Sequence, residues 1–203
     1  MQKIAPTKGN LIAAKNTLRL SQQGYEMLDK KRNILIREMM QLIEQAKEVE
    51  TKIEETFSRA YKALEGANVL MGINAVQQHA HAASFEESIS IDLRSVMGVE
   101  IPVVRAEKSS GRPSYGFAET SSAIDEASLA FTEVKELTIQ LSEIENSVYR
   151  LAMNIKKTQK RANALENITI PRYEEIVKEI SNSLEEKDRE EHSRMKIIKK
   201  TKN

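Results

Sequence analysis

Residues 123–165 read AIDEASLAFTEVKELTIQLSEIENSVYRLAMNIKKTQKRANAL. Stepping alternately by four and three residues from Ala123 gives Ala127, Ala130, Val134, Leu137, Leu141, Ile144, Val148, Leu151, Ile155, Thr158, Ala162 and Leu165. Twelve of these thirteen positions are apolar. A repeat of 3.5 residues held over so many heptads keeps one seam turned toward a partner helix, which is the pattern of a left-handed coiled coil.

The N-terminal part carries a matching stripe. From Leu11 it runs through Ala14, Leu18, Ser21, Tyr25, Leu28, Arg32, Leu35, Met39, Leu42, Ala46, Val49, Ile53, Thr56 and Ala60, and twelve of these fifteen positions are apolar. Two stripes in one chain, joined by a long middle segment, pair most simply head to tail. That places residue 60 near 123 and residue 11 near 172, along a coil of roughly 75 Å at the helical rise per residue.

The breakers divide the chain. Of seven Gly and four Pro, Gly66, Gly72, Gly98, Pro102, Gly111, Pro113 and Gly116 crowd the middle, whereas residues 25–65 and 117–170 contain neither. A helix interior loses about 1 kcal/mol to Gly and about 3 to Pro, so long helices belong outside that region. The expected organisation is an N-terminal coiled-coil helix over residues 1–65, a middle segment over 66–118, and a C-terminal coiled-coil helix with its tip over 119–203. In the middle, Asn68 to Ala83 suits a short helix. From Glu87 to Arg105, Ile89, Ile91 and Leu93 and then Val99, Ile101 and Val103 alternate on either side of Met97-Gly98, which reads as a β-hairpin. A lone hairpin is marginal in water, so it is expected to pack on the coil or on another chain. The stretch KSSGRPSY, residues 108–115, reads as a flexible loop. Pro171 either opens a new helical segment or kinks the existing one. The fold class is therefore mainly α: a long antiparallel two-stranded coiled-coil hairpin with a small irregular middle segment containing a short β-hairpin.

Composition excludes several classes. Only 4% of the 203 residues are aromatic and none is Trp, which argues against a deep, rounded interior. The absence of Cys rules out a disulfide scaffold, thiol catalysis and Cys-ligated zinc. Residues 1–20 hold Lys3, Lys8, Lys15 and Arg19 without a long apolar run, unlike a signal peptide. The uncharged stretch from Gly66 to Phe85 is broken by Asn, Gln and His, a poor membrane span. A soluble chain without direct membrane insertion is expected. The net charge of +1 gives no argument for nucleic acid.

That near-neutrality covers a strong polarity. Residues 192–203 carry Arg194, Lys196, Lys199, Lys200 and Lys202 and no acid, residues 149–163 carry five bases and no acid, and residues 119–147 carry seven acids against Lys135. One reading is solvated faces and a basic tail. The other is a basic shaft passing through a polar collar of a partner.

Sites of chemistry are scarce. No GxxxxGK[ST] loop occurs. His79 and His81, two residues apart, fall on different sides of a helix. The acids from Glu185 to Glu191 alternate with Lys187 and Arg189, as solvated helix pairs do. Asn167-Ile168-Thr169 matches a glycosylation acceptor by chance. No catalytic residues, cofactor or metal are expected. Arg32 stands on the apolar stripe, where a guanidinium can fix register or meet a partner.

Two segments resemble the central-stalk D subunits of V-type and A-type rotary ATPases. Near the N-terminus the resemblance lies in Pro6-Thr7-Lys8, Leu11, Gly24, Leu28 and Lys31-Arg32-Asn33-Ile34-Leu35. Toward the C-terminus it lies in Thr158-Gln159-Lys160-Arg161-Ala162-Asn163-Ala164-Leu165-Glu166-Asn167-Ile168-Thr169-Ile170-Pro171, then in Leu184 to Glu191 and Arg194-Met195-Lys196. Asn33 stands where the family has Asp, Ala162 where it has Val, and His192 where an aromatic is common.

The resemblance implies a non-catalytic rotor shaft, peripheral to the membrane on the cytoplasmic side. In such a complex the shaft couples ATP synthesis or hydrolysis in a hexamer of catalytic and non-catalytic subunits to ion transport, of hydrogen or sodium ions, by a membrane ring. Its partners would be that hexamer, the small F subunit of the central stalk and the connector to the membrane ring. The expected partner-contact residues are Arg32, Ile36, Met40, Ile43, Lys160, Arg161, Glu166, Arg194 and Lys196. Ile36, Met40 and Ile43 could equally widen the coil's seam. A competing function from periodicity alone is a coiled-coil scaffold or chaperone without a rotary role.

Overall fold

A computed structural model describes residues 5–81, 89–106 and 120–201. The loop expected at 108–115 lies outside the described residues, as do residues 82 and 83 of the short helix and the start of the alternating run at 87 and 88. The elements in order are α1 (Lys8–Met71), α2 (Ile73–His81), β1 (Ile89–Val96), β2 (Val99–Ala106), α3 (Ser122–Ala164), a π turn (Leu165–Thr169) and α4 (Ile170–Thr201). The chain is thus mainly α, with one long helix toward each terminus and a two-stranded antiparallel hairpin in the middle. No helix among the described residues is long and apolar enough to cross a membrane.

Local chemistry sets the helix ends. Thr7 caps α1: its hydroxyl accepts from the Asn10 N–H at 3.2 Å, while its carbonyl accepts from Leu11 at 3.0 Å. Ser121 caps α3 in the same way through Ala123 and Ile124. At its other end α1 runs through Gly66 and stops at Met71. The next residue, Gly72, has φ +84 and donates to the Asn68 carbonyl at 2.9 Å, a left-handed cap that a β-carbon would strain.

The described chain forms two compact units. A terminal unit contains the chain up to Ile34 and from Ile155 onward, and a central unit contains Leu35–Asn154. In the central unit α1 and α3 run antiparallel. Ala60 packs with Ala130 and Val134, flanked by Phe57 and Phe131, whereas Ala67 packs with Ile124 and, from α2, Val76. Arg59 pairs with Glu133 across the same seam. Small residues at these contacts let the helices approach closely, which is how a chain with so few aromatics still buries its seam. Three of the nine aromatic residues gather there: Tyr61 stacks on Phe57 at 5.9 Å and meets Phe131 edge-on at 5.6 Å. The stagger differs from the sequence expectation. Ala60 faces Ala130 rather than Ala123, one heptad along. A strictly periodic seam looks the same after a seven-residue shift, so apolar spacing alone could not choose between them.

The hairpin belongs to the central unit. Met97 (φ 50) and Gly98 (φ 75) turn it with the doubly positive φ of a type I′ turn, and Val96 then pairs with Val99. This register pairs Leu93 with Pro102 and Arg94 with Ile101, so the two apolar sets lie on opposite faces. Val99 and Ile101 are buried; Ile89, Ile91 and Leu93 are exposed. The outer edge of β2 is closed by α3. Glu143 accepts from the Val104 N–H at 2.9 Å, and Arg150 donates to the Glu100 carbonyl at 3.2 Å. Pro102, between them, has no N–H to satisfy. Across the hairpin, Arg94 pairs with Glu38 of α1 at 2.8 Å. The expected packing on the coil is therefore made by one face and one edge.

Candidate interaction site at the π turn

The terminal unit holds the most specific stretch of sequence, and its geometry departs from a plain coil there. Pro171 has no N–H, and in an unbroken α-helix its ring would strike the carbonyl four residues back. The chain avoids this by widening one turn. From Leu165 to Thr169 the helix is π-type, the Ile170 N–H reaching the Leu165 carbonyl, five residues back. The Thr169 hydroxyl donates to the Ala164 carbonyl at 3.3 Å. Pro171 then sits in the first turn of α4, and the chain stays helical through the widened turn, with Ala164 and Ile170 both in the right-handed helical region. Across the turn, Ala162, Tyr173 and Leu184 mark an eleven-residue spacing of seam positions, with Leu165, Thr169, Ile176 and Ile180 between them. Heptad phase is thus given up after the widened turn.

Opposite this turn, α1 supplies Gly24, Tyr25, Asp29, Arg32 and Asn33. A Leu165 methyl lies 3.6 Å from the position of a Gly24 β-carbon. Arg32 donates to Gln159 Oε1 at 2.7 Å and pairs with Asp29 at 2.5 Å, and Gln159 in turn donates to Asn163 Oδ1 at 2.6 Å. The Asn33 amide donates to the other Asp29 oxygen at 3.1 Å, a bond an Asp at this position could not donate. Glu166 faces Tyr25: its carboxylate, close to and hydrogen-bonded with the phenol, pushes the Tyr25 pKa above the ordinary value of 10.0, with partial burial and Asp29 adding to the effect. A neutral phenol is the better donor to that carboxylate.

The expected contact residues separate into three places. Arg32 and Glu166 belong to this network, with Lys160 and Arg161 exposed on the turn that carries Gln159. Ile36, Met40 and Ile43 lie on the central unit's part of α1, where Met40 is 52% exposed and Ile43 is half-buried. Arg194 and Lys196 lie near the end of α4, where every described residue from Glu185 onward is exposed. Arg194 pairs with Glu190 at 3.7 Å. Sequence reasoning missed Tyr25, Asp29, Gln159 and Asn163. The sequence did not single out Gln159 as the partner of Arg32, because the expected stagger set Arg32 one heptad earlier on the facing stripe. Among the described residues no group of three or more His, Asp or Glu could hold a metal ion.

The turn and the network that faces it fall inside the region matched by known proteins. A sequence profile of the ATP synthase D subunit matches residues 10–200. The V-type ATP synthase D subunit of Thermotoga neapolitana is 44% identical over 196 residues, covering 97% of each chain. The A-type ATP synthase D subunit of Methanosphaera stadtmanae is 36% identical over 202 residues, covering 97% of this chain and 94% of its own. That of Methanopyrus kandleri is 34% identical over 201 residues, covering 98% and 87%. A match that takes in both long helices, the hairpin and the widened turn leaves one assignment: the chain belongs to the family of ATP synthase D subunits.

Proposed function

We propose that this chain is the central rotor shaft of a V/A-type ATPase or ATP synthase. In that role it links nucleotide turnover in a catalytic hexamer to ion movement through a membrane ring. The observation that carries the reading is α1, an unbroken helix of 64 residues, seamed antiparallel to α3 in a chain matched nearly end to end by family members. A shaft must transmit torque without bending, and paired helices with a continuous apolar seam supply that stiffness; a single helix does not. Its partners on this reading are the hexamer, the small F subunit of the stalk and the connector to the ring, and its setting is the cytoplasmic side of the membrane. The exposed, basic end of α4 and the polar network at the π turn are the surfaces offered to the hexamer. Ile36 and Met40 are offered to a stalk partner.

The test is a proline in the seam. Leu141→Pro removes a helix hydrogen bond and costs roughly 3 kcal/mol or more. In the assembled complex it is expected to abolish coupled transport while nucleotide binding by the hexamer persists. Coupled transport at wild-type levels in that variant would end the rotor reading. So would failure of the chain to co-purify with a nucleotide-binding hexamer.

A further inference from the structure

We propose that Arg32 and Gln159, braced by Asp29 and Asn163, form a register clamp that selects one stagger of the paired helices in the terminal unit. Up to the widened turn, the apolar seam cannot make that selection. Leu11, Leu18, Tyr25 and Arg32 recur at seven residues on one side, and Ile155, Ala162 and Thr169 on the other. A slip of one heptad therefore leaves side chains of similar character across the seam.

Arg32 breaks the degeneracy. Its guanidinium is held at the seam, with the side chain 25% exposed, and in the observed register it meets the Gln159 carbonyl oxygen at 2.7 Å. Slipped one heptad in one sense it would face Ala152, which offers no acceptor, so the bond across the seam would be lost and only the Asp29 pair on its own helix would remain. Slipped in the other sense it would face Glu166, but that carboxylate would then leave the Tyr25 phenol it now holds, and Gln159 would lose its charged donor. Gln159 is itself oriented by Asn163 at 2.6 Å, and Arg32 by Asp29 at 2.5 Å, so both partners arrive pre-positioned. One polar pair at a seam is a well-attested device for fixing register. The clamp stands whether or not the chain rotates in a complex, because it concerns the isolated fold.

The chain contains no Cys, so spin labels can be placed without background. Two ruler pairs on exposed positions suffice: Leu20→Cys with Lys160→Cys, and Met27→Cys with Arg172→Cys. They are offset along the seam in opposite senses, so a slip shortens one distance while it lengthens the other. Pulsed dipolar spectroscopy on the full chain is expected to give a single distance for each pair. In the R32L/Q159L background a second population should appear, displaced along the axis by about 10 Å, seven residues at the helical rise, with opposite sign in the two pairs. R32K/Q159E keeps a polar pair across the seam and should restore the single distances. Equal helicity by circular dichroism in all three chains shows that folding is intact. Unchanged single distances in R32L/Q159L would overturn the clamp. Lengthening of both pairs together would also overturn it, since that reports separation of the helices.

Discussion

Leu35 and Leu151 are the two large side chains in the central unit with no exposure at all. Truncation there removes contacts that a narrow two-helix seam cannot re-form, so Leu35→Ala is expected to cost about 2–5 kcal/mol, read as a fall in the thermal midpoint. Both residues stand on the stripes visible in the sequence, and so do the buried hydroxyls of Ser21, Thr56 and Thr158. Thr56 satisfies its own helix, donating to the Lys52 carbonyl at 2.7 Å, which is why a polar residue survives at a seam position. Tyr25 makes a second prediction. Its phenol is held protonated above the ordinary 10.0, with Glu166 as the leading cause. The folded state therefore binds that proton more tightly than the unfolded state does. The stability this contributes is complete below the ordinary value and is lost as pH rises through the raised one. Glu166→Gln should return the Tyr25 transition toward 10.0 in an ultraviolet titration, identified by its loss in Tyr25→Phe; an unmoved transition would refute the assignment. Nothing in the sequence announced this contact, because it depends on which residue of α1 stands across from Glu166.

Among the elements, the hairpin shows most clearly where a sequence stops informing. Its alternation is plain in the residue order, and its turn dipeptide, Met97-Gly98, is equally plain. Which apolar set faces inward is decided by register, and that follows from the two-residue turn and from side chains of α3 far away in sequence. Met97 occupies a left-handed conformation that an ordinary side chain reaches only at a cost of about 1–2 kcal/mol. Asn tolerates it, so Met97→Asn should slow amide exchange throughout β1 and β2 without altering their register. Faster exchange would contradict the turn geometry. The clasp on β2 is testable in the same experiment: Glu143→Ala leaves the Val104 N–H without its partner, and exchange at that amide should rise while the paired amides of β1 change less. Conversely Ile91, 65% exposed, contributes little to the folded chain, so Ile91→Lys should move overall stability by no more than about 0.5 kcal/mol.

Across the whole molecule, the two long helices and their pairing sense were legible because a 3.5-residue repeat admits few other readings. The stagger was not, because the repeat is blind to heptad shifts, and the widened turn before Pro171 was not, because a proline announces a disruption without stating its form. Charge is the remaining molecule-wide feature, and on the proposed role its consequence lies in binding. The end of α4 is exposed and carries Arg194, Lys196, Lys199 and Lys200 within seven residues, a density that serves no partner inside the described chain beyond the Arg194–Glu190 pair. If this end enters a collar with complementary charge, attraction must weaken as ionic strength shortens the Debye length from about 10 Å at 0.1 M to about 3 Å at 1 M. On the proposed shaft role, replacing the four bases with Gln should slow association with a catalytic hexamer about tenfold or more at low salt. It should also flatten the dependence of that rate on salt, while dissociation, governed by packed contacts, changes less. Association rates that fall with salt equally in both chains would mean that the basic end is only a solvated face.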